Sequence, residues 1–364
     1  MDEEFFDRYS KVNKKKEGIP GFQMNSPLVS NSLKGTVGLE LEMEATNRLP
    51  SDGHLEAVKG KTTKCRWLTV HDGSLRGSAL EYLFSTPCTR DEIEPMVTGL
   101  YDQIALNKTN LSLSNRCSTH VHINMTGKTV NQISSIIALW AVFEEALIEW
   151  CGEERKTNHF ALSMQNATSL VDTWNLFLRT GSLAWPEGLK YSALNILPIW
   201  EKGSIEFRCG PASENPGVPI RWATFLDTFV DYACKAFRHP AEIGYALSER
   251  GGWEIFSDIC RDSALSSFRK EVFAAAGGNE TQFNTMALQG FRTVQSFALG
   301  FPWEQWMLLI QKEFVPDPFA KKTVKKTPLR ARRLEPFPDR PALAPERNPD
   351  GLVNDPWMRF EQPD

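Results

Sequence analysis

The chain has 364 residues, is 41% hydrophobic and 24% charged, and carries a formal net charge of −4. That is an ordinary globular composition, long enough for two or three average domains or for one large domain with appendages. It excludes an overall basicity that would draw nucleic acid, so any polyanion contact must be local.

Residues 1–34 hold Lys14-Lys15-Lys16 and then Gly, Pro, Ser and Asn with little periodicity, and read as a loosely ordered arm. The acidic start, Met1-Asp2-Glu3-Glu4-Phe5-Phe6, is not that of a signal peptide, and no run of about 18 apolar residues predicts a membrane span. The expected location is intracellular and cytoplasmic. Seven cysteines, scattered singly with no Cys-x-x-Cys pair, agree with reduced, mostly buried thiols.

The first predicted strand runs from Thr36 to Ala45, followed by a polar loop or hairpin between Pro50 and Lys64 and a second strand at Arg66–Val70. Asp72-Gly73 signals a turn, and the strand around Glu81 stops at Pro87. Helical spacing follows over Asp91–Leu106. A polar loop, Asn115–Thr119, leads into the strand containing His120 and His122, and Thr129-x-x-Gln132 has capping-box form ahead of an amphipathic helix reaching about Trp150.

Residues 151–200 read as largely helical, ahead of the Glu206 strand. After the Pro216–Pro219 break, helices continue from Ile220 to about Phe237 and, more weakly, to about Phe314. Ten of the 22 prolines fall in residues 315–364, alongside the basic block Lys321–Arg333, so this tail is expected to be extended or disordered. A solvated block is its simplest reading, with contact to nucleic acid, a membrane surface or a partner as the alternative.

Four segments carry the chemistry: Gly38-Leu-Glu40-Leu-Glu42, Leu80-Glu81-Tyr82, Thr119-His120-Val-His122-Ile-Asn124 and Ser204-Ile-Glu206-Phe-Arg208. Alternation sends the acidic, imidazole and arginine side chains to one face of each strand and the apolar ones to the other. A solvated strand face is the alternative for any one segment, but mixed Thr, Lys and Ser would then be expected. If the four share a sheet, their carboxylates crowd: a pair ~5 Å apart repels by about 3 kcal/mol at an effective dielectric near 20. A compensating cation follows, and oxygen ligands with imidazole suit Mg²⁺ or Mn²⁺ better than zinc.

Taken in order, these segments together with Asp72-Gly73-Ser74, Arg155 with Asn158 and Phe160, and Lys190-Tyr191-x-x-Leu194-Asn195 resemble the amidoligase family. That family belongs to the carboxylate-amine ligase superfamily of glutamine synthetase and glutamate-cysteine ligase. The resemblance covers about residues 35–210. It implies an α+β fold: a curved, mainly antiparallel sheet carrying ATP and divalent metal on its concave face, with helices packed behind, in a catalytic domain spanning 35–314.

The resemblance further implies metal ligands at Glu40, Glu42, Glu81, His120 and Glu206, with His122 nearer the nucleotide phosphates and Arg208 meeting the transferred phosphate. Glu206 and Arg208 are the catalytic pair. A salt bridge to Glu206 is the plainer role for Arg208. Arg155 and Lys190 are candidates for phosphate or substrate carboxylate, or else ordinary solvated cations; Asn195 either binds substrate or caps a turn. Glu44 extends the acidic face but is read as solvated beyond the site, and His159 as a packed histidine.

The position before His120 is Thr119, where relatives vary, and no counterpart of glutamine synthetase's ammonia-binding residues is present. The expected activity is ATP- and Mg²⁺-dependent joining of an unspecified carboxylate to an unspecified amine, with an amino acid or peptide side chain as one substrate. The competing classes are a guanidino-kinase-like phosphotransferase and a non-enzymatic binding or structural module on the same fold. A metal-dependent hydrolase is a further class, which the Glu-x-Arg strand disfavours.

Overall fold

Strict alternation makes Val37–Ala45 a strand, β1, with Val37, Leu39, Leu41, Met43 and Ala45 all buried on one face. The computed structural model describes residues 35–51, 67–164, 191–238 and 240–294. The N-terminal arm, most of the 50–64 stretch, Lys190 and the C-terminal tail lie outside the described residues.

Five further strands follow: β2 (Trp67–Val70), β3 (Ser78–Phe84), β4 (Ser118–Asn124), β5 (Leu194–Asn195) and β6 (Ser204–Pro211). They form one open sheet in the order β2-β3-β1-β4-β6-β5, with every neighbouring pair antiparallel. The Asp72 turn joins β2 to β3, the Ser74 N–H donating to Asp72 Oδ1 at 2.7 Å.

Helices cover the apolar face. They are α1 (Arg90–Leu106), α2 (Val130–Cys151), the short α3 (Glu153–Lys156) and α4 (Pro198–Glu201), then α5 (Gly217–Ala236), α6 (Ala241–Ile259), α7 (Ser266–Ala275) and α8 (Glu280–Val294). The capping box expected for α2 forms: Thr129 Oγ1 accepts the Gln132 N–H, and Gln132 Oε1 accepts the Thr129 N–H. Ile133, Ile136, Ile137, Trp140, Phe143 and Leu147 then line a buried stripe at helical spacing.

Trp140 meets Phe207 of β6 at a ring separation of 4.9 Å, and Phe229 of α5 packs on the same two rings. At the far edge, Trp67 of β2 donates its indole N–H to the Met96 carbonyl of α1. A second helical layer closes over α2 through Phe256, Phe268 and Phe283. The fold is therefore α+β, with helices against one face of an unclosed antiparallel sheet. The described residues belong to one compact unit, and no described helix is long and apolar enough to cross a membrane.

The reading of 151–200 as largely helical is corrected in its described parts. Residues 157–164 leave α3 as irregular chain, and Leu194–Asn195 is a strand on the edge of β6. Two residues are too few to show a period, so β5 exists through its hydrogen bonds to β6 and not through its own pattern.

Candidate metal centre

Strand register builds the centre. Glu40 stands opposite His120 on β4, Glu42 opposite Glu81 on β3, and Glu206 opposite both His122 on β4 and Asn195 on β5. Gly38 faces His122, and a Cβ added there would lie 3.2 Å from His122 Cβ, so glycine at this position leaves the imidazole its room.

The result is a half-buried to buried cluster around Glu40. His120 Nδ1 lies 3.3 Å from Glu40 Oε2 and 3.4 Å from Glu206 Oε1. His122 Nε2 lies 3.0 Å from Glu40 Oε1 and 3.8 Å from Glu206 Oε1. Arg208 Nη1 donates to Glu206 Oε1 at 2.6 Å, and Asn195 Nδ2 donates to Glu206 Oε2 at 2.7 Å.

Two serines fix the imidazoles from behind. The Ser118 hydroxyl donates to Glu42 Oε2, so its oxygen is left to accept from His120 Nε2, 2.7 Å away. That tautomer turns the Nδ1 lone pair toward Glu40 and Glu206. Acceptors facing acceptors repel unless a proton or a cation intervenes. Ser204 Oγ sits 3.1 Å from His122 Nδ1, while the buried His122 Nε2 makes no hydrogen bond despite its proximity to two carboxylates. An orphaned ring nitrogen aimed between carboxylate oxygens fits a cation, and the serines are the outer partners that orient such ligands.

Two overlapping groups have metal-binding spacing: Glu40, Glu81 and His120, and Glu40, His122 and Glu206, with the donor atoms of each group within 4.8 Å of one another. The electrostatics agree. Burial raises the Glu81 carboxyl to about 8, helped by the charge of Glu40 and a hydrogen bond with it, and by Glu42 and Asp72. Burial also pushes Glu40 upward, but the adjoining His120 and His122 rings outweigh it and hold the carboxyl well below its ordinary range. The proton held by Glu81 thus does part of what a bound cation would do.

No protein-family model matches the chain, and no curated protein matches it either. The likeness to amidoligases rests on the ordered motifs of the sequence alone.

Of the residues singled out in the sequence, Glu40, Glu42, Glu81, His120, His122, Glu206 and Arg208 converge. Asn195 joins them by orienting Glu206, and its Oδ1 also accepts the Leu197 N–H, the turn-capping role. Arg208 pairs with Glu206, the plainer of its two readings, but inside the cluster and with its side chain only 18% exposed.

Arg155 is not a solvated cation: it is buried, and its guanidinium donates to the Cys117 carbonyl in the loop leading into β4. Glu44 is not solvated: it is buried and accepts the Arg76 backbone N–H at 2.6 Å. His159 is exposed, not packed.

Sequence reasoning missed Ser118 and Ser204, whose roles depend on cross-strand neighbours. It also missed Lys202, which follows α4 and places Nζ 3.6 Å from Glu40 Oε1. Lys202 lines a cleft of about 310 Å³ that continues the polar face beyond Glu40 and His122, walled by Leu83, Phe84 and Thr86.

Proposed function

We propose that the chain is an ATP- and Mg²⁺- or Mn²⁺-dependent carboxylate-amine ligase on a glutamine synthetase-like core. The observation that carries this reading is the buried His122 Nε2, without a hydrogen bond, facing Glu40 and Glu206 in a cluster that also holds His120, Glu42, Glu81 and Arg208. Glu40, Glu81 and His120 would hold one cation, and Glu40, His122 and Glu206 a second. Bound there, such cations would neutralise phosphate charge.

The remaining steps belong to the chain's own side chains. The cleft at His122 lies at the small end of ligand-site volumes and, with the Lys202 ammonium at its rim, receives the nucleotide so that its terminal phosphate reaches the cluster. Arg208, held by Glu206 and by the Phe160 carbonyl, offers a planar fork to the phosphoryl group in transfer. The substrate carboxylate takes that phosphoryl group and ADP leaves. Attack of the amine on the acyl phosphate then forms the amide, releasing phosphate and a proton.

Calorimetric titration with a non-hydrolysable ATP analogue, with and without Mg²⁺, tests the reading. Wild type should bind only with Mg²⁺, and Glu40→Gln should weaken that binding about tenfold or more. No Mg²⁺-dependent binding to wild type would leave a binding module. ADP release into a phosphorylated acceptor without need of an amine would make the chain a guanidino-kinase-like phosphotransferase.

A further inference from the structure

Glu144 is a buried carboxylate that the proposed chemistry does not use. It projects from α2 on the side of the sheet away from the centre, and only 3% of the residue is exposed. Its Oε1 accepts the Trp140 indole N–H at 2.8 Å and its Oε2 accepts the Met164 backbone N–H at 2.7 Å. Among the described residues it forms no ion pair. Burial pushes its carboxyl up to about 7 against the pull of the two donors. A buried carboxylate without a counter-ion is an expensive way to fill core space, so what it holds is informative.

It holds a strap at Met164. Residues 158–164 run past the β5 edge of the sheet and touch the centre's supports at three points. Asn158 Nδ2 donates to the Asn115 carbonyl in the loop before β4. The Phe160 carbonyl accepts from Arg208 Nε at 3.2 Å. Leu162 exchanges hydrogen bonds with the segment beside β6, its N–H donating to the Tyr191 carbonyl and its carbonyl accepting the Ala193 N–H, while the Arg208 N–H donates to the Ala193 carbonyl. Arg208 is therefore held at its backbone through Ala193 and at its guanidinium through Phe160, and both tethers are registered by the strap.

We propose that Glu144 is a positioning residue for Arg208: by capturing the Met164 amide it sets the register of the strap, and the strap's Phe160 carbonyl aims the guanidinium at the phosphate position. The functional half of this statement rests on the ligase reading; the mechanical half does not. Glu144 touches no reacting atom in either case.

Glu144→Met keeps the length and removes both acceptors together with the buried charge, so the fold is expected to survive. Glu144→Asp, one methylene shorter, serves as the second variant. Trp140→Phe disturbs the same core but leaves the Met164 bond. Amide hydrogen exchange should rise about 10- to 100-fold at Met164 and Leu162 in Glu144→Met and in Glu144→Asp, and stay near wild type in Trp140→Phe.

In parallel, the preference for a non-hydrolysable ATP analogue over ADP, measured by calorimetry with Mg²⁺, should fall in Arg208→Ala. It should fall in the same direction in both Glu144 variants, while Mn²⁺ affinity without nucleotide stays within about twofold. Unchanged exchange at Met164 and Leu162 overturns the proposal, as does increased exchange with an unaltered nucleotide preference. If Arg208→Ala leaves that preference unchanged, the ligase reading loses its phosphate-binding arginine, and the exchange data still decide whether Glu144 sets the strap.

Discussion

Ser118 determines what the His120 imidazole presents to Glu40. An imidazole offers a lone pair on one nitrogen only when the other carries its proton, and Ser118 accepts that proton's hydrogen bond because its own hydroxyl hydrogen is committed to Glu42. Ser118→Ala should therefore lower Mn²⁺ affinity about 10- to 100-fold by titration calorimetry with a circular dichroism spectrum like that of wild type; an unchanged affinity would mean that the serine merely fills space. The carboxylates, imidazoles and Arg208 were legible from the chain alone because their alternation is local and their chemistry unusual for a solvated strand. Serine has no such signature. Its role at 118 arises from Glu42, 76 positions away in the chain, and the burial of Arg155 was equally hidden, because its guanidinium turns to a backbone carbonyl whose position only the folded loop defines.

At the scale of elements, β1 is the strand on which the centre depends, because it pairs with β3 on one side and β4 on the other and so brings Glu81 and His120 to its own carboxylates. Gly38 is part of that pairing. A methyl group at 38 would press on His122 Cβ at 3.2 Å, a contact that β4 can relieve only by shifting the imidazole. Gly38→Ala is expected to fold and to weaken Mg²⁺-dependent nucleotide binding several-fold, while a large loss of thermal stability with unaltered binding would place the strain elsewhere. The long elements, β1, α1 and α2, could be read from their periods and caps. The stretch from 157 to 164 and the strand β5 could not, since each takes its shape from hydrogen bonds to partners remote in sequence, Glu144 and β6 among them. Apolar content without a stop signal made that region look helical.

Across the whole molecule, the sheet separates two kinds of energy: its helical side buries apolar surface, and its other side concentrates carboxylates whose burial and mutual repulsion oppose folding. Two carboxyls make this measurable. Burial and Glu40 raise Glu81 from 4.5 to about 8, and burial raises Glu144 from 4.5 to about 7. Each keeps its proton in the folded chain at pH values where the unfolded chain has released it. Their contribution to stability is thus complete below about pH 4.5 and declines as pH rises toward the folded value. Glu40, held low, has the opposite sign and loses its contribution as pH falls below the ordinary carboxylate range. The metal-free chain should accordingly melt at progressively lower temperature from pH 5 to 8. The larger part of the fall between 7 and 8 belongs to Glu81, which is still mostly protonated at pH 7 where Glu144 is already about half titrated, and Glu81→Gln should reduce it. On the proposed metal binding, saturating Mg²⁺ would replace the proton and stabilise by mass action, so its effect on wild type should grow as pH approaches 8. Glu81→Gln at pH 8 is then expected to melt above metal-free wild type and to gain little from Mg²⁺. A melting temperature that holds steady in wild type between pH 7 and 8 would mean that the carboxylates of the polar face are not under the strain that a cation would relieve.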